Sequence, residues 1–271
     1  MTIRGLSIFT WTQARLYLRE PIATFFTIFF APLFLVLFGL IYGNEPSEVL
    51  GGRGSMDVTV PAYLGIIIVT VGLIGLPIQT SVNRELGILR RYRVTPLRPL
   101  TYIVADVVSY WLMALAGTVL LVLVGKLAYD VRFEGNVLSV LAGFTLSMLA
   151  FLAIGFVIAS LAPSARVAQT VGMVLSYPMM FLCGATIPLE LLPSTVRQIA
   201  DFLPLTYVVK LMRGLWVGDP WSDHWLEVAV LTAILVVCGV ISARFFRWEC
   251  WLQVRRRRAA GPGLVVAPSD P

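Results

Sequence analysis

Long stretches of this chain carry no charge, and that restricts its fold more than any other feature. Six apolar runs lie near residues 22–43, 60–82, 103–125, 137–161, 168–187 and 226–246. Each, coiled as a helix at about 1.5 Å per residue, is long enough to cross a hydrocarbon core of roughly 30 Å. Water cannot satisfy backbone groups in lipid, so a lone apolar run at that depth has to be helical. The composition agrees. The chain is 58% hydrophobic and 13% charged, where a soluble domain carries about a quarter charged residues. The expected class is an all-α polytopic membrane protein, with six transmembrane helices over residues 22–246.

The segments around the runs carry their own signals. Residues 1–21 set Ile8, Trp11, Ala14 and Leu18 beside Arg15 and Arg19, the pattern of an amphipathic interfacial helix. Pro32 is expected to kink the first span. Residues 44–59 and 126–136 read as polar loops. The outer segment 188–225 is divided by Pro188, Pro193, Pro204 and Pro220. Two short helices, near 194–202 and 205–215, are expected there, dipping into the membrane or packing on the span ends. Residues 247–271 form a basic tail, disordered at its end. Six spans put both termini on one side, and 15 of the 21 Lys and Arg fall there. The positive-inside rule makes that side cytoplasmic in a plasma membrane. The same placement of arginines at run ends speaks for orientation and against nucleic-acid binding. Three cysteines without a C-x-x-C, and a single histidine, His224, expected in a solvent-facing loop, support neither a disulfide framework nor a metal site.

One polar stretch stands apart. Residues 83–99 read NRELGILRRYRVTPLRP, with Arg84, Arg90, Arg91, Arg93 and Arg98 against the single acid Glu85. Pro96 and Pro99 stop a helix begun near Asn83. Over two to three turns such a helix shows one apolar stripe, through Leu86 and Leu89, and a cationic remainder. It is expected to lie in water, in an inner loop spanning 83–101.

The span interiors narrow the function. Asp106, Glu227 and Arg244 lie within about a turn of a span end, and no Asp, Glu, Lys, Arg or His sits deeper. A gradient-driven carrier or a polar ion channel needs polar groups at depth. An intramembrane hydrolase needs a catalytic pair there. No G-x-x-x-x-G-K-[ST] phosphate loop is present. Energy for any driven transport therefore comes from another protein, and no enzymatic site is expected in this chain. A secondary transporter or channel, and a membrane scaffold without transport, stay open as rival classes.

The stretch from Arg84 to Leu97, with its acid–base pair, its glycine two residues after the acid, its basic helix and its Thr95-Pro96 stop, resembles the cytoplasmic signature of type-2 ATP-binding-cassette (ABC) transporter permeases. The amphipathic start, the six spans, and the outer residues Pro188, Leu192-Pro193, Pro204-Leu205, Tyr207 and Arg213 are similar to that family too. Asn83, where many relatives carry a second acid, and Leu86 at a usually polar position depart from it. In length and arginine-rich style the chain looks most like daunorubicin-type drug-export permeases; lipid- or polysaccharide-exporting relatives share the architecture.

The resemblance implies a pair of permease chains, identical or different, with two ATPase subunits docked below. ATP and Mg would be bound by the ATPases, and this chain would hold no cofactor. Arg84, Glu85, Gly87, Leu89, Arg90, Arg91 and Arg93 would form the coupling helix that meets the ATPase. The charge-free spans point to a hydrophobic or amphipathic cargo. Candidate path residues are Phe30, Phe34, Gln79, Tyr177 and Met180.

Overall fold

The computed structural model describes residues 25–47, 52–88, 99–184 and 194–245, and these are almost entirely helical. Helix α1 (Phe30–Tyr42) follows a π-helical turn at Phe25–Phe29. That turn precedes Pro32, which has no N–H to give to the carbonyl four residues back. A two-residue antiparallel pairing joins β1 (Pro46–Ser47) to β2 (Arg53–Gly54). Helix α2 (Ser55–Glu85) contains a π-helical stretch at Thr70–Gly75. It is followed by α3 (Pro99–Tyr129), α4 (Val137–Leu161), α5 (Ala165–Leu182), α6 (Ser194–Ala200), α7 (Pro204–Val217) and α8 (Trp225–Phe245). Among the described residues four helices, against the six spans expected, are long and apolar enough to cross a membrane, at Ser55–Glu85, Ile103–Tyr129, Val137–Leu161 and Trp221–Arg244; Phe30–Ile41 is a shorter apolar helix.

The bundle is built around α2. Its neighbours are α1, α3, α4, α5 and α7, and Tyr63, Leu64, Ile68, Val69, Leu73 and Leu76 are fully buried. Since lipid is as apolar as leucine, burial alone does not hold such helices together; close backbone approach does. Gly72 and Gly155 meet where α2 crosses α4, and a Cβ on Gly155 would run into the Gly72 carbonyl oxygen. Gly172 of α5 stands equally close to the Leu73 carbonyl. Both carbonyls lie one turn before Pro77, which offers them no N–H.

At the other end of α2, Asn44 and Asp57 fix the start of the helix. Asn44 Oδ1 accepts from Met56 N at 3.0 Å, and its Nδ2 donates to the Tyr129 carbonyl at 2.8 Å. Asp57 Oδ2 accepts from Gly54 N at 3.2 Å, and its Oδ1 from Arg132 N at 2.9 Å. Helix α7 then covers this half of α2 with Leu205, Val208 and Val209, all buried and close to Gly65.

Several boundaries move from their expected places. The second span is longer than 60–82, because Asp57 supplies a helix start inside the expected polar loop. The third begins at Pro99, a residue suited to a first helical turn, and runs to Tyr129. The fifth is shifted to 165–182, since Ser164 caps its start by accepting from Val167 N at 3.3 Å. The two short outer helices form at 194–200 and 204–217, close to expectation. His224 is not a solvent-facing residue: its side chain is 15% exposed, 3.5 Å from Asp219 and 3.8 Å from Glu227. The expected interfacial helix at 1–21 and the tail at 247–271 lie outside the described residues.

Candidate functional site

Of the expected basic helix, the first residues, Asn83, Arg84 and Glu85, belong to α2. The α2 ladder continues through Asn83, Arg84 and Glu85, and Asn83 and Arg84 are buried. It closes with Leu86 N donating to Val82 O at 2.9 Å and Gly87 N to Arg84 O at 3.1 Å. Gly87 has φ +70°, the left-handed conformation that lets a helix stop and the chain turn away. The glycine two residues after the acid thus has a backbone reason.

Arg84 turns inward. Its guanidinium donates through Nη1 to the Ala159 carbonyl at 2.8 Å and through Nη2 to the Ala162 carbonyl. These are carbonyls at the C-terminus of α4, where the helical ladder leaves acceptors over and the helix dipole favours a cation. Only 5% of Arg84 is exposed. Protein carbonyls thus solvate a charge that the apolar surroundings cannot. Glu85, exposed, points to the next helix: its Oε1 accepts from Ala165 N at 2.8 Å, at the N-terminus of α5. An anion is favoured there for the converse reason. The two adjacent side chains therefore straddle the turn between α4 and α5.

Of the seven expected coupling residues, the structure brings Arg84, Glu85 and Gly87 together at this turn. Leu89, Arg90, Arg91 and Arg93 lie outside the described residues. The partners of the pair, Ala159, Ala162 and Ala165, carry no side-chain signal, because they contribute backbone atoms.

A second feature lies toward the opposite end, a cavity of about 430 Å³ between α3 and α4. Leu64, Leu115, Val119, Val122, Phe144 and Trp216 contribute to an almost wholly apolar wall. Its polar groups are Thr118, whose hydroxyl is buried with no hydrogen-bond partner among the described residues, and Lys126. Lys126 is tied to Asp130 at 2.7 Å, and this hydrogen bond, with the ammonium charge, holds the Asp130 carboxyl below its usual range. Phe133 stands edge-on to Trp216, ring centres 4.8 Å apart, and Trp216 Nε1 donates to the Arg132 carbonyl at 2.9 Å.

The five expected path residues are not in that wall. Phe30 and Phe34 are half-buried neighbours on α1, ring centres 4.7 Å apart. Gln79 Nε2 donates to Asn83 Oδ1 at 3.5 Å. Tyr177 is exposed and Met180 buried, both on α5. Among the described residues, no group of three or more His, Cys, Asp or Glu side chains is placed to hold a metal ion.

Comparison with known proteins adds identity to this geometry. Daunorubicin resistance ABC transporter permease protein DrrB1 of Streptomyces coeruleorubidus is 26% identical over 88% of this chain and 84% of its own length. Probable doxorubicin resistance ABC transporter permease protein DrrC of Mycobacterium tuberculosis is 24% identical over 84% of this chain and 83% of its own. Nodulation protein J of Rhizobium leguminosarum bv. viciae is 33% identical over 49% of this chain; the match spans about half of that relative, 51%. The family pattern described as ABC-2 type transporter matches residues 4–216. The chain is a member of the ABC-2 type transporter family.

Proposed function

We propose that this chain is the membrane-spanning permease subunit of an ABC exporter, moving a hydrophobic or amphipathic cargo outward across the plasma membrane. In this reading it crosses the membrane six times with both termini cytoplasmic. It pairs with a second permease chain, and two ATPase subunits bind and hydrolyse ATP with Mg. The observation that carries the reading is the alignment to two proteins named as drug-resistance ABC transporter permeases over more than four-fifths of both partners. Supporting it, the described spans lack charged residues at depth, and the 430 Å³ cavity is almost wholly apolar, as a carrier of oily molecules requires. A drug is the favoured cargo, because the drug-resistance relatives align nearly end to end.

The drive would enter through residues 84–93. Arg84 and Gly87 are committed to the fold. Contact with an acidic ATPase surface would therefore fall to Leu89, Arg90, Arg91 and Arg93, whose charges steer association.

The test is reconstitution of the chain with its ATPase in vesicles and measurement of daunorubicin efflux. Efflux is expected to require ATP and the ATPase, and a double substitution Arg90→Glu, Arg91→Glu is expected to abolish it while the protein still inserts. Efflux driven by an ion gradient without the ATPase would overturn the reading.

A further inference from the structure

We propose that Arg84 and Glu85 are positioning residues: a two-pronged clamp that makes the end of α2, the end of α4 and the start of α5 move as one body. The inference rests on the reading that drive enters just beyond Gly87. It differs from that reading in giving the acid–base pair an intramolecular task in place of contact with the ATPase.

The geometry points this way on four counts. First, the Arg84 fork meets two carbonyls of α4, Ala159 and Ala162. Two parallel N–H donors fix orientation as well as distance, which a lysine ammonium cannot do. Second, Glu85, the next residue along α2, holds the first turn of α5 through Ala165 N at 2.8 Å. One residue braces the helix that ends at the turn and the other braces the helix that begins there. Third, Arg84 is 5% exposed and so presents no guanidinium to a docking surface. Fourth, α2 ends directly after the pair, at Gly87, so little slack separates the clamp from the chain that follows.

A second tie between the same three helices lies deeper. Gly72 against Gly155 and Leu73 against Gly172 hold α2 to α4 and to α5. Arg84 is twelve residues from Gly72, or about 18 Å along a helix. Two ties that far apart resist both sliding and tilting of α2 against its neighbours. A push on the segment after Gly87 then displaces α4 and α5 together with α2. Without the outer tie, the last turns of α2 would bend and absorb the push.

Glu85 separates the clamp from docking. Glu85→Gln keeps an acceptor for Ala165 N and removes the charge; Glu85→Ala removes both. The measurement is efflux per ATP hydrolysed in vesicles holding the full complex, alongside the amount of ATPase that co-purifies. The clamp predicts efflux per ATP within about twofold of the parent for Glu85→Gln, and a drop of about fivefold or more for Glu85→Ala. ATPase recovery is expected to be equal in both. Arg84→Lys, which keeps the charge and a single donor, is expected to fall between the parent and Glu85→Ala.

Equal losses for Glu85→Gln and Glu85→Ala, with the ATPase no longer recovered, would overturn the clamp in favour of charge-read docking. A parent-like Glu85→Ala, in a preparation where Arg90→Glu, Arg91→Glu abolishes efflux, would overturn the clamp alone. A parent-like Arg90→Glu, Arg91→Glu would instead overturn the reading beneath it.

Discussion

Helices α2 and α8 are nearly matched in hydropathy, yet they occupy opposite environments. In the most apolar window of α2, 78% of residues are buried inside the protein; in the helix that contains α8 the figure is 11%. Val236, Val237 and Val240 of α8 are more than half exposed, whereas α2 touches five other helices. In lipid, hydropathy reports only that a helix tolerates hydrocarbon. It does not report which helices that one touches. The distinction sits in the small residues and in the backbone. Helix α2 brings Gly65 and Gly72 against neighbouring side chains and backbone, while Gly239 of α8 has nothing near its missing side chain. The ends of the two helices differ in the same sense. Arg84 is buried against α4, and Arg244 is exposed.

The strongest attempt to break this contrast is a side chain at the α2–α4 crossing. Gly155→Leu is expected to yield no monodisperse folded protein. Gly155→Ala is expected to lower stability by about 3 kcal/mol, at the upper end for overpacking, because the new methyl meets a carbonyl oxygen that cannot swing aside. Thermal unfolding in detergent, followed by intrinsic tryptophan fluorescence, measures the loss. A parent-like midpoint for Gly155→Ala would mean that the two backbones do not approach so closely, and the contrast between α2 and α8 would shrink to one of side-chain burial.

The arginines sharpen the contrast next. Arg84→Gln removes the fork from two α4 carbonyls, and a buried charge-assisted hydrogen bond contributes about 1.5–3 kcal/mol. A loss of about 2–3 kcal/mol is expected, after the shorter amide recovers part of the bonding. Arg244→Gln, on an exposed helix end, is expected to stay within about 0.5 kcal/mol. Chemical denaturation of the two variants side by side reads the difference; equal effects would show that Arg84 shares the solvation of Arg244.

The same contrast separates what was legible in the residues from what was not. Charge-free runs marked where apolar helices lie, because lipid leaves the backbone little choice, but not their ends: the second helix starts at Ser55 and the fifth stops at Leu182. The seam between α2 and α4 was not legible, since Gly72 and Gly155 are unremarkable within their own runs and acquire meaning only when juxtaposed. The basic stretch announced its importance through charge. Its inward member, Arg84, carries the same side chain as the other arginines of the stretch. Nothing in the sequence around Arg84 shows that it stands on the last turn of α2, opposite carbonyls contributed by alanines. Asp57 misled in the opposite direction. An acid near Gly51, Gly52 and Gly54 reads as loop, yet here it closes a helix start by accepting from the Gly54 amide.

The smallest expected effect is the most discriminating control. Gly239→Ala places a methyl where no atom lies within 4 Å. Alanine costs less than glycine inside a helix, by up to about 1 kcal/mol in water, and less where lipid already enforces helicity. Stability is therefore expected to stay within about 0.5 kcal/mol of the parent, with any shift toward stabilisation. The same denaturation assay used for Gly155→Ala checks it. A loss comparable to that of Gly155→Ala would show that the exposed face of α8, whose other face packs on α4 and α7, is covered by another chain in the assembled protein.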